Sequence, residues 1–493
     1  MPKAKKKTKK TKPARKALGA SLSPSKAFRD LAKSHGHGMT TELRRSGILR
    51  ELVEDRGHVV TGSVRLAKIG EYIAGHADLE SEGGRTPHLW GVILAHNAEG
   101  TMRRATASLR EHCDALAITD TGITDGTRLA AKVGFTGLEV APRGKVWFHE
   151  TPWKDNFGEA RTISIQVAAT LASEDAWLLI CDTDEWTEWG SLSDEQLRSL
   201  LREAPASQNA FHVMHKSGTY SQPRLIRASA VRAGVLRYGG RVHEALEGVA
   251  SPTVIPHVVF CDEPKLLAKS IEKFQRDERI LREVLKEHPG APRWNYYLAQ
   301  TIDCLAECTV KEANQLPGDV RDASTPRGAE AVKAAALFTE AVNAYLRARD
   351  LNGWDEEGSW AGYRAATVLS SPCNRAVNDE DRRYAVKLAV QSMERFPTSE
   401  LAWLIGYQYF YLNDMRKALM WARVAQALGP CSGGGPASYE HGRTGFKDPD
   451  ALYDKPFELA AFAYDRLGKP EAAQASRAAA ERAREMKGRR DQP

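Results

Sequence analysis

The sequence predicts an α/β domain with a mostly parallel sheet, followed by a region built only of helices. Two observations support this prediction. Between Leu89 and Asp182, apolar runs of strand length alternate with helical segments, which is the pattern of βαβ units around a parallel sheet. After about Pro264, amphipathic helical patterns follow one another without an intervening strand.

The strands of the first region are recognised by apolar runs without polar alternation, which is typical of strands buried on both faces. The predicted strands are Leu89–Ala95, Ala115–Thr119, Lys145–Phe148 and the run that begins at Trp177, and the helices between them are Thr101–His112, Thr127–Val133 and Ala160–Ala172. Phe211–Met214 and Leu225–Ile226 are predicted strands of a more mixed part of the sheet.

The second region shows helical periodicity and a weak internal repeat. Its predicted helices are Lys265–Glu287, Trp294–Cys308, Ala331–Arg349, Asp379–Arg395, Leu401–Leu412, Met415–Leu428, Phe457–Leu467 and Ala472–Lys487. Small residues and tyrosines recur at a spacing similar to that of tetratricopeptide repeats, which lets paired helices approach closely. They are Gly406, Tyr409, Ala418, Ala425 and Pro430, and then Ala461, Tyr464, Gly468 and Ala473. An ordinary helical bundle is the alternative.

The length of 493 residues exceeds what one hydrophobic core can organise, so we expect two or three domains. The predicted divisions are a disordered basic tail (1–20), a helical extension of unknown role (21–86), the α/β domain (87–264) and the helical-repeat domain (265–487). The sequence Ser81-Glu82-Gly83-Gly84-Arg85-Thr86-Pro87 marks the start of the α/β domain.

The net charge of +7 comes from the tail. Nine of the 70 Lys and Arg residues lie within residues 1–16, which leaves 61 basic against 63 acidic residues. Nucleic acid is therefore not an expected partner of the folded body. Residues 1–16 are followed by no apolar segment, and no run is long enough to span a bilayer. Together with seven scattered cysteines, these features favour a cytoplasmic protein without a membrane span.

Two carboxylates follow the last predicted parallel strand. Asp182 and Asp184 are two residues apart, so in an extended backbone their side chains point to the same side. Two such carboxylates need a counter-charge, and a hard divalent cation such as Mn²⁺ or Mg²⁺ supplies one while leaving positions open to phosphate oxygens. A solvated acidic loop is the alternative interpretation of an isolated Asp-x-Asp pair.

Three further polar segments follow the other predicted strands. They are His96-Asn97-Ala98-Glu99-Gly100, Asp120-Thr121-Gly122-Ile123-Thr124-Asp125-Gly126-Thr127 and Asp155-Asn156-Phe157-Gly158-Glu159-Ala160-Arg161. Each alone is an ordinary loop before a helix, with capping residues. Because the carboxyl ends of parallel strands meet at one edge of a sheet, a single ligand could contact all of these segments and the acidic pair.

These motifs resemble the family-2 glycosyltransferases of the GT-A fold, in particular bacterial and phage members with a helical-repeat C-terminus. The resemblance extends over about Leu89 to Ala480. It is carried by the motifs above and by Arg224-Leu225-Ile226-Arg227, Tyr238-x-Gly240-Arg241-Val242-His243-Glu244, His257, Lys273-x-x-Arg276-Asp277, Trp294-x-x-Tyr297-Leu298-Ala299-Gln300 and Gly353-Trp354-Asp355-Glu356-Glu357. It implies a Rossmann-like nucleotide-sugar domain and transfer of a sugar from a nucleotide-sugar donor with inversion.

The resemblance also implies roles for single residues. Nucleotide-sugar contacts are expected from Asn97, Glu99, Asp120, Asp125, Arg161, Asp182 and Arg227. The expected metal ligands for Mn²⁺ or Mg²⁺ are Asp182, Asp184, His243 and His257. Glu244 is the candidate general base, which must lie within hydrogen-bond reach of the acceptor proton. For His243 the alternative is a loop histidine bonded to a carbonyl group.

Two other functions compete with glycosyl transfer. A metal-dependent phosphotransferase or phosphatase also uses Asp-x-Asp after an apolar strand, but usually with Thr or Val two residues after the second Asp, where this chain has Trp186. The third possibility is an inactive scaffold that binds a protein through its helical repeats. If the protein is a transferase, we expect the helices after Pro264 to recognise a protein acceptor, because helical arrays present extended concave surfaces. The alternative is that they only brace the α/β domain.

Overall fold

The computed structural model describes residues 58–61, 88–137, 145–217, 220–251, 253–351, 353–371, 377–429 and 448–490. The predicted tail 1–20 lies outside these residues, and of the extension 21–86 only the strand β1 (His58–Thr61) is described. Pro430 also lies outside them. All elements from Leu89 onward belong to one compact unit that begins at Thr61.

Strands and helices alternate up to Asp182 and then give way to a strand-rich part. In chain order the elements are β2 (Leu89–Ala95), α1 (Glu99–Leu109), β3 (Ala115–Asp120), α2 (Thr127–Thr136), β4 (Lys145–Glu150), α3 (Phe157–Leu171), β5 (Trp177–Asp182), β6 (Glu185–Glu188), α4 (Asp194–Glu203), β7 (Ala210–His215), β8 (Ser221–Arg227), α5 (Ala228–Arg232), β9 (Arg237–Gly239), β10 (Ala245–Glu247) and β11 (Val254–Asp262). The order of neighbouring strands from β4 onward is β4-β3-β2-β5-β8-β7-β11-β6, and β9 and β10 form a separate ribbon.

The first four of these neighbours form the parallel part of the sheet, as the sequence predicts. Strand β2 pairs in parallel with β3 on one side and with β5 on the other. The register places Ala95 opposite Asp120 and Leu94 opposite Asp182. The carboxyl ends of the three strands are therefore level with one another, which brings the loops that follow them to one edge.

The second half of the sheet is mixed. Strand β8 runs antiparallel to both β5 and β7, β11 runs parallel to β7, and β6 runs antiparallel to β11. The sequence prediction missed β6, β9, β10 and β11 as well as the helices α4 and α5. In β11, Pro256 and His257 interrupt the apolar run and weaken the strand pattern. Helix α4 is polar, although Ser193 and Gln196 form a capping box that marks its start.

After Pro264 the chain is helical. The helices are α6 (Leu267–Glu287), α7 (Pro292–Ala313), α8 (Pro326–Leu351), α9 (Asp355–Ser370), α10 (Asp379–Arg395), α11 (Ser399–Tyr411), α12 (Met415–Leu428), α13 (Pro449–Leu452), α14 (Lys455–Arg466) and α15 (Pro470–Arg490). The helical region is therefore confirmed, with most ends within a few residues. Helix α9 was missed because it is buried on most of its surface, so apolar and polar residues do not alternate with helical periodicity.

The helical region packs directly against the α/β part. A core cluster joins Val242 to Ile280 and Leu281 of α6 and to Leu298 and Ile302 of α7. Burying apolar side chains of this size contributes about 1.5–3 kcal/mol each. This packing fixes the position of α6 beside the carboxyl edge of the sheet.

Close helix packing occurs where the sequence places small residues. A Cβ at Gly406 of α11 would lie 2.9 Å from Leu459 Cδ2 and 3.1 Å from the carbonyl oxygen of Ala418. Ala418 and Ala425 on α12 and Ala461 on α14 are buried. The small residues therefore allow these helices to approach, as the predicted repeat requires.

Among the described helices, none is both long enough and apolar enough to cross a bilayer.

Candidate functional site

A cavity of about 650 Å³ opens at the carboxyl ends of β2 and β5. It is lined by residues from the sheet edge, from α3, from the loop before β10 and from α6. These are Leu94, Ala95, His96, Thr121, Trp153, Phe157, Arg161, Asp182, Thr183, Asp184, Val242, His243, Glu244, Lys265, Lys269, Lys273, Arg276 and Asp277. The structure thus brings together five of the predicted site residues: Arg161, Asp182, Asp184, His243 and Glu244.

Arg161 joins two of the cavity carboxylates. It lies in the second turn of α3, whose first turn is capped by the side chain of Asn156. Its Nη2 is 2.6 Å from Asp182 Oδ1 and its Nε is 2.5 Å from Glu244 Oε1. The guanidinium is well suited to bridge two carboxylates because its donors form a planar fork. Asp182 and Glu244 are 62 residues apart in the chain, and α3 is the element that brings them into one ion-pair network.

A second arginine supports Asp182 from within the sheet. Arg224, on β8 beside β5, is buried, with its Nη2 2.6 Å from Glu185 Oε1 and its Nη1 3.7 Å from Asp182 Oδ2. Glu185 Oε2 in turn accepts a hydrogen bond from the backbone N–H of Asp182. Sequence reasoning assigned no role to Arg224 or Glu185. The available signal was the position of Arg224 directly before the apolar pair Leu225 and Ile226, since a charged residue buried beside apolar neighbours needs a partner.

The network shifts the pKa values of Asp182 and Glu185 in opposite directions. Burial raises the pKa of Asp182, but Arg161 and Arg224 outweigh it and lower that pKa to about 2. Burial and the adjacent charge of Asp182 raise the pKa of Glu185 to about 7. Asp182 is therefore ionised throughout the physiological range, whereas Glu185 changes its charge near neutral pH.

Asp184 lies at the cavity wall without contact to either arginine. Its Oδ2 is 2.9 Å from the Nζ of Lys265, which precedes α6. This ion pair raises the pKa of Lys265 against the opposing effect of burial. Thr183 and Asp184 form the turn between β5 and β6, which explains why the second carboxylate extends beyond the strand.

The acidic pair suits a hard divalent cation. Mg²⁺ and ions like it are often held by one or two carboxylates, with water and substrate phosphates completing the shell, and both Asp182 and Asp184 face the cavity. Among the described residues, no group of three or more His, Cys, Asp and Glu side chains is arranged to hold a metal ion. A cation at this position would share Asp184 with Lys265 and would draw its remaining ligands from the substrate.

The two predicted histidine ligands lie in different places. His243 lines the cavity, with its ring stacked on Tyr297 at 4.4 Å between centroids and its Nε2 3.4 Å from Thr301 Oγ1. Burial, with Lys273 nearby, lowers the pKa of His243 to about 4, so the ring is neutral at physiological pH. His257 is exposed on β11, with a φ of 61°, and is not among the cavity residues.

Four of the residues predicted to contact the nucleotide sugar organise the loops beside the cavity. Asn97 accepts the backbone N–H of Thr124 at 2.8 Å, and Glu99 accepts that of Gly126 at 3.3 Å. The buried Asp120 accepts the N–H groups of Gly122 and Ile123 and lies 2.6 Å from Arg128 Nη2. Asp125 accepts hydrogen bonds from the N–H and hydroxyl of Thr127. None of these four is among the lining residues, whereas Thr121, next to Asp120, is.

Arg227 lies at the opposite end of the sheet from the acidic pair. It pairs with Trp177 at the start of β5, five residues before Asp182, a distance of about 17 Å along a strand. Its guanidinium donates to the carbonyl oxygens of Gln208 and Ala204. This placement gives Arg227 a structural role at the amino end of the strands, so we do not carry it into the proposed site.

The cavity combines charge with aromatic surface. Trp153 and Phe157 line it, with ring centroids 4.6 Å apart in an edge-to-face arrangement. The guanidinium of Arg276 lies 4.7 Å from the centre of the Phe157 ring. Amphipathic ligands with a planar or ring-shaped part and an anionic part fit such a surface.

Comparison with known proteins gives distant structural likenesses only. No protein-family model matches the chain, and no curated protein matches it. Among solved structures, the mannosyltransferase PcManGT from Pyrobaculum calidifontis, in complex with GDP-Man and Mn²⁺, has a TM-score of 0.31 at 14% identity and covers 59% of this chain and 95% of its own.

Two further solved structures are similar at comparably low scores. MamA has a TM-score of 0.29 at 13% identity, covering 46% of this chain and 99% of its own. BtubC from P. vanneervenii has a TM-score of 0.27 at 17% identity, covering 45% of this chain and 92% of its own. At such TM-scores these likenesses support no inference about the activity of this chain.

Proposed function

We propose that the protein is a metal-dependent glycosyltransferase that moves a sugar from a nucleotide-sugar donor to an acceptor, with inversion, and that the acceptor is a protein. The observation that carries this proposal is the convergence of Asp182, Asp184, Arg161 and Glu244 on one cavity at the carboxyl edge of the parallel strands. The acidic pair alone, or the arginine alone, could equally belong to a structural salt bridge.

The acid pair supplies the oxygen ligands for the cation. Mn²⁺ or Mg²⁺ held by Asp182 and Asp184 would stabilise the negative charge that develops on the leaving diphosphate. Arg161 keeps Asp182 ionised and oriented through its 2.6 Å contact, so the carboxylate is ready to bind a cation without protonation. The neutral His243 ring on the same wall can accept or donate a hydrogen bond to a ligand.

Glu244 is the proposed general base. Its Oε1 is held by Arg161, and its Oε2 makes no hydrogen bond to any of the described residues. The free oxygen can accept the proton of the attacking acceptor group while the arginine fixes the side chain. In an inverting transfer that group attacks the anomeric carbon from the face opposite the departing diphosphate, and the bond to the diphosphate breaks as the new bond forms.

The competing phosphotransferase or phosphatase reaction is less well supported by the sequence after the acidic pair. Such enzymes usually have Thr or Val two residues after the second aspartate, where this chain has Trp186.

A donor-hydrolysis assay tests the proposal. The full-length protein is incubated with a panel of nucleotide sugars and Mn²⁺, and release of nucleoside diphosphate is measured. We expect release with at least one donor and its loss in Asp184→Asn. Asp262→Asn is the matched control, because Asp262 also lies near the end of a strand but is 51% exposed and pairs with His215 outside the cavity.

The outcomes separate the competing functions. No release with any donor would refute the proposal and favour the scaffold. Release of inorganic phosphate from phosphate esters would favour a phosphatase. With an active donor and a protein acceptor, Glu244→Gln should slow transfer by about 10²–10⁴-fold with little change in donor affinity, the range expected for loss of a general base.

A further inference from the structure

A row of basic side chains from the helical region forms one wall of the cavity. Lys265, Lys269, Lys273 and Arg276 all line it. Lys269, Lys273 and Arg276 are four and three residues apart on α6, so they lie on one face of the helix, and Lys265 is four residues before Lys269. This basic row faces the edge of the sheet that carries Asp182 and Asp184.

Three members of the basic row are already held by carboxylates. Lys265 contacts Asp184 at 2.9 Å, Lys273 contacts Asp277 at 3.2 Å, and Arg276 contacts Asp277 at 2.8 Å. Lys269 makes no hydrogen bond or ion pair with any of the described residues. Within the cavity it is therefore a cation without a counter-charge.

The cavity as a whole is weakly cationic. Among its described lining residues, five Lys and Arg side chains face four Asp and Glu side chains. The wall that carries the basic row is held in place, because Ile280 and Leu281 of the same helix are buried against Val242 of the α/β part. An anionic ligand would offset this excess of positive charge.

We propose that the basic row on α6 binds the diphosphate of the ligand directly, with Lys269 as the cation that the protein leaves free for it. The identification of the ligand as a diphosphate rests on the proposed nucleotide-sugar transfer. The helical region then completes the donor site itself, in addition to any role in recognising the acceptor.

Direct binding differs in a testable way from binding through a metal alone. If the acidic pair and its cation were the sole diphosphate contacts, a chelator would abolish affinity. Ammonium and guanidinium groups bind phosphate oxygens without a metal, and at exposed positions this attraction weakens with added salt.

The test is calorimetric titration of the full-length protein with inorganic pyrophosphate in the presence of EDTA. We expect measurable binding to the wild type that weakens with salt. Lys269→Ala should reduce the affinity by about three- to tenfold, the effect of one charge-assisted contact at a partly exposed site. Lys387→Ala is the matched control, since Lys387 is also an exposed helical lysine that makes no bond to a described residue and does not line the cavity.

Absence of pyrophosphate binding in EDTA would overturn the proposal, as would an unchanged affinity in Lys269→Ala. Substitution of Lys269 removes no internal contact, and an unfolding curve for each variant checks that the fold is retained. Failure here is distinct from failure of the proposed function. Hydrolysis of a nucleotide sugar together with an unchanged pyrophosphate affinity in Lys269→Ala would refute only the role of the basic row. Pyrophosphate binding without hydrolysis of any donor would refute the proposed transferase.

Discussion

Replacement of Arg161 by Met should destabilise the protein by about 3–4 kcal/mol at pH 7, because it removes the cation between two partly buried carboxylates. The Arg161 side chain is 14% exposed, as is that of Glu244, and Asp182 is 25% exposed. Methionine keeps most of the aliphatic volume, so the substitution tests the charge rather than the packing.

The expected loss of stability in Arg161→Met has two parts. The pKa of Asp182 falls from 3.8 to about 2 in the folded protein, which at about 1.36 kcal/mol per pKa unit amounts to about 2–3 kcal/mol. Arg161 supplies the larger share of this effect, and Arg224 remains 3.7 Å from Asp182 in the variant. Glu244 loses a charge-assisted hydrogen bond, which contributes about 1.5–3 kcal/mol.

The pH dependence gives a further check. Since the folded-state pKa of Asp182 is below its unfolded value, the contribution of the ion pair is fully present above pH 3.8 and is lost as the pH falls through about 2. The variant should therefore lose the same stability at pH 5 as at pH 7. Urea unfolding monitored by circular dichroism at both pH values measures the loss.

Arg282→Met is the matched control. Arg282 is 42% exposed and contacts Glu278 and Glu340 on the surface, where ion pairs contribute less than about 1 kcal/mol. A loss of stability in Arg161→Met no larger than in the control would refute the assignment of Arg161 as the organising cation of the site.

Three further predictions concern Glu185, the helix packing and the helical region. The folded-state pKa of Glu185 is raised from 4.5 to about 7, so its contribution to stability is fully present below pH 4.5 and is lost as the pH rises through 7. Glu185→Gln should therefore reduce the fall in unfolding temperature between pH 5 and 8. Gly406→Val should cost about 1–3 kcal/mol in urea unfolding, because its side chain would overlap Leu459. A chain ending at residue 264 should lose donor hydrolysis as well as transfer, since α6 lines the cavity.

Each of these has a control and a contrary result. Glu188→Gln, an exposed neighbour of Glu185 on β6, should leave the pH slope unchanged, and an identical slope in both variants would contradict the assignment to Glu185. Gly290→Val should cost little, because a Cβ there would meet no atom within 4 Å. A soluble 1–264 chain that hydrolyses a donor at the wild-type rate would show that α6 is dispensable for the donor site.

The sequence alone determined the α/β alternation, the helical region and the position of the acidic pair. Buried parallel strands appear as continuous apolar runs, so Leu89–Ala95 and the run from Trp177 could be recognised without a partner. The loops at the ends of such strands must meet at one edge, which is why Asp182 and Arg161 could be predicted to share a site.

Tertiary structure decided which charges act together. The contacts of Arg161 with Glu244 and of Arg224 with Glu185 join residues that are 83 and 39 positions apart, and nothing in local sequence sets their distances. The same limit explains Arg227, which resembles a site residue in sequence but lies opposite Trp177 because β8 runs antiparallel to β5.

The basic row shows most clearly what only the packed chain could establish. In the sequence, Lys265, Lys269 and Lys273 belong to a long amphipathic helix, where lysines usually face solvent. Burial of Ile280 and Leu281 against Val242 turns that polar face toward the acidic edge of the sheet. The direction in which a helix presents its charges depends on what its apolar face packs against, and that partner lies outside the helix.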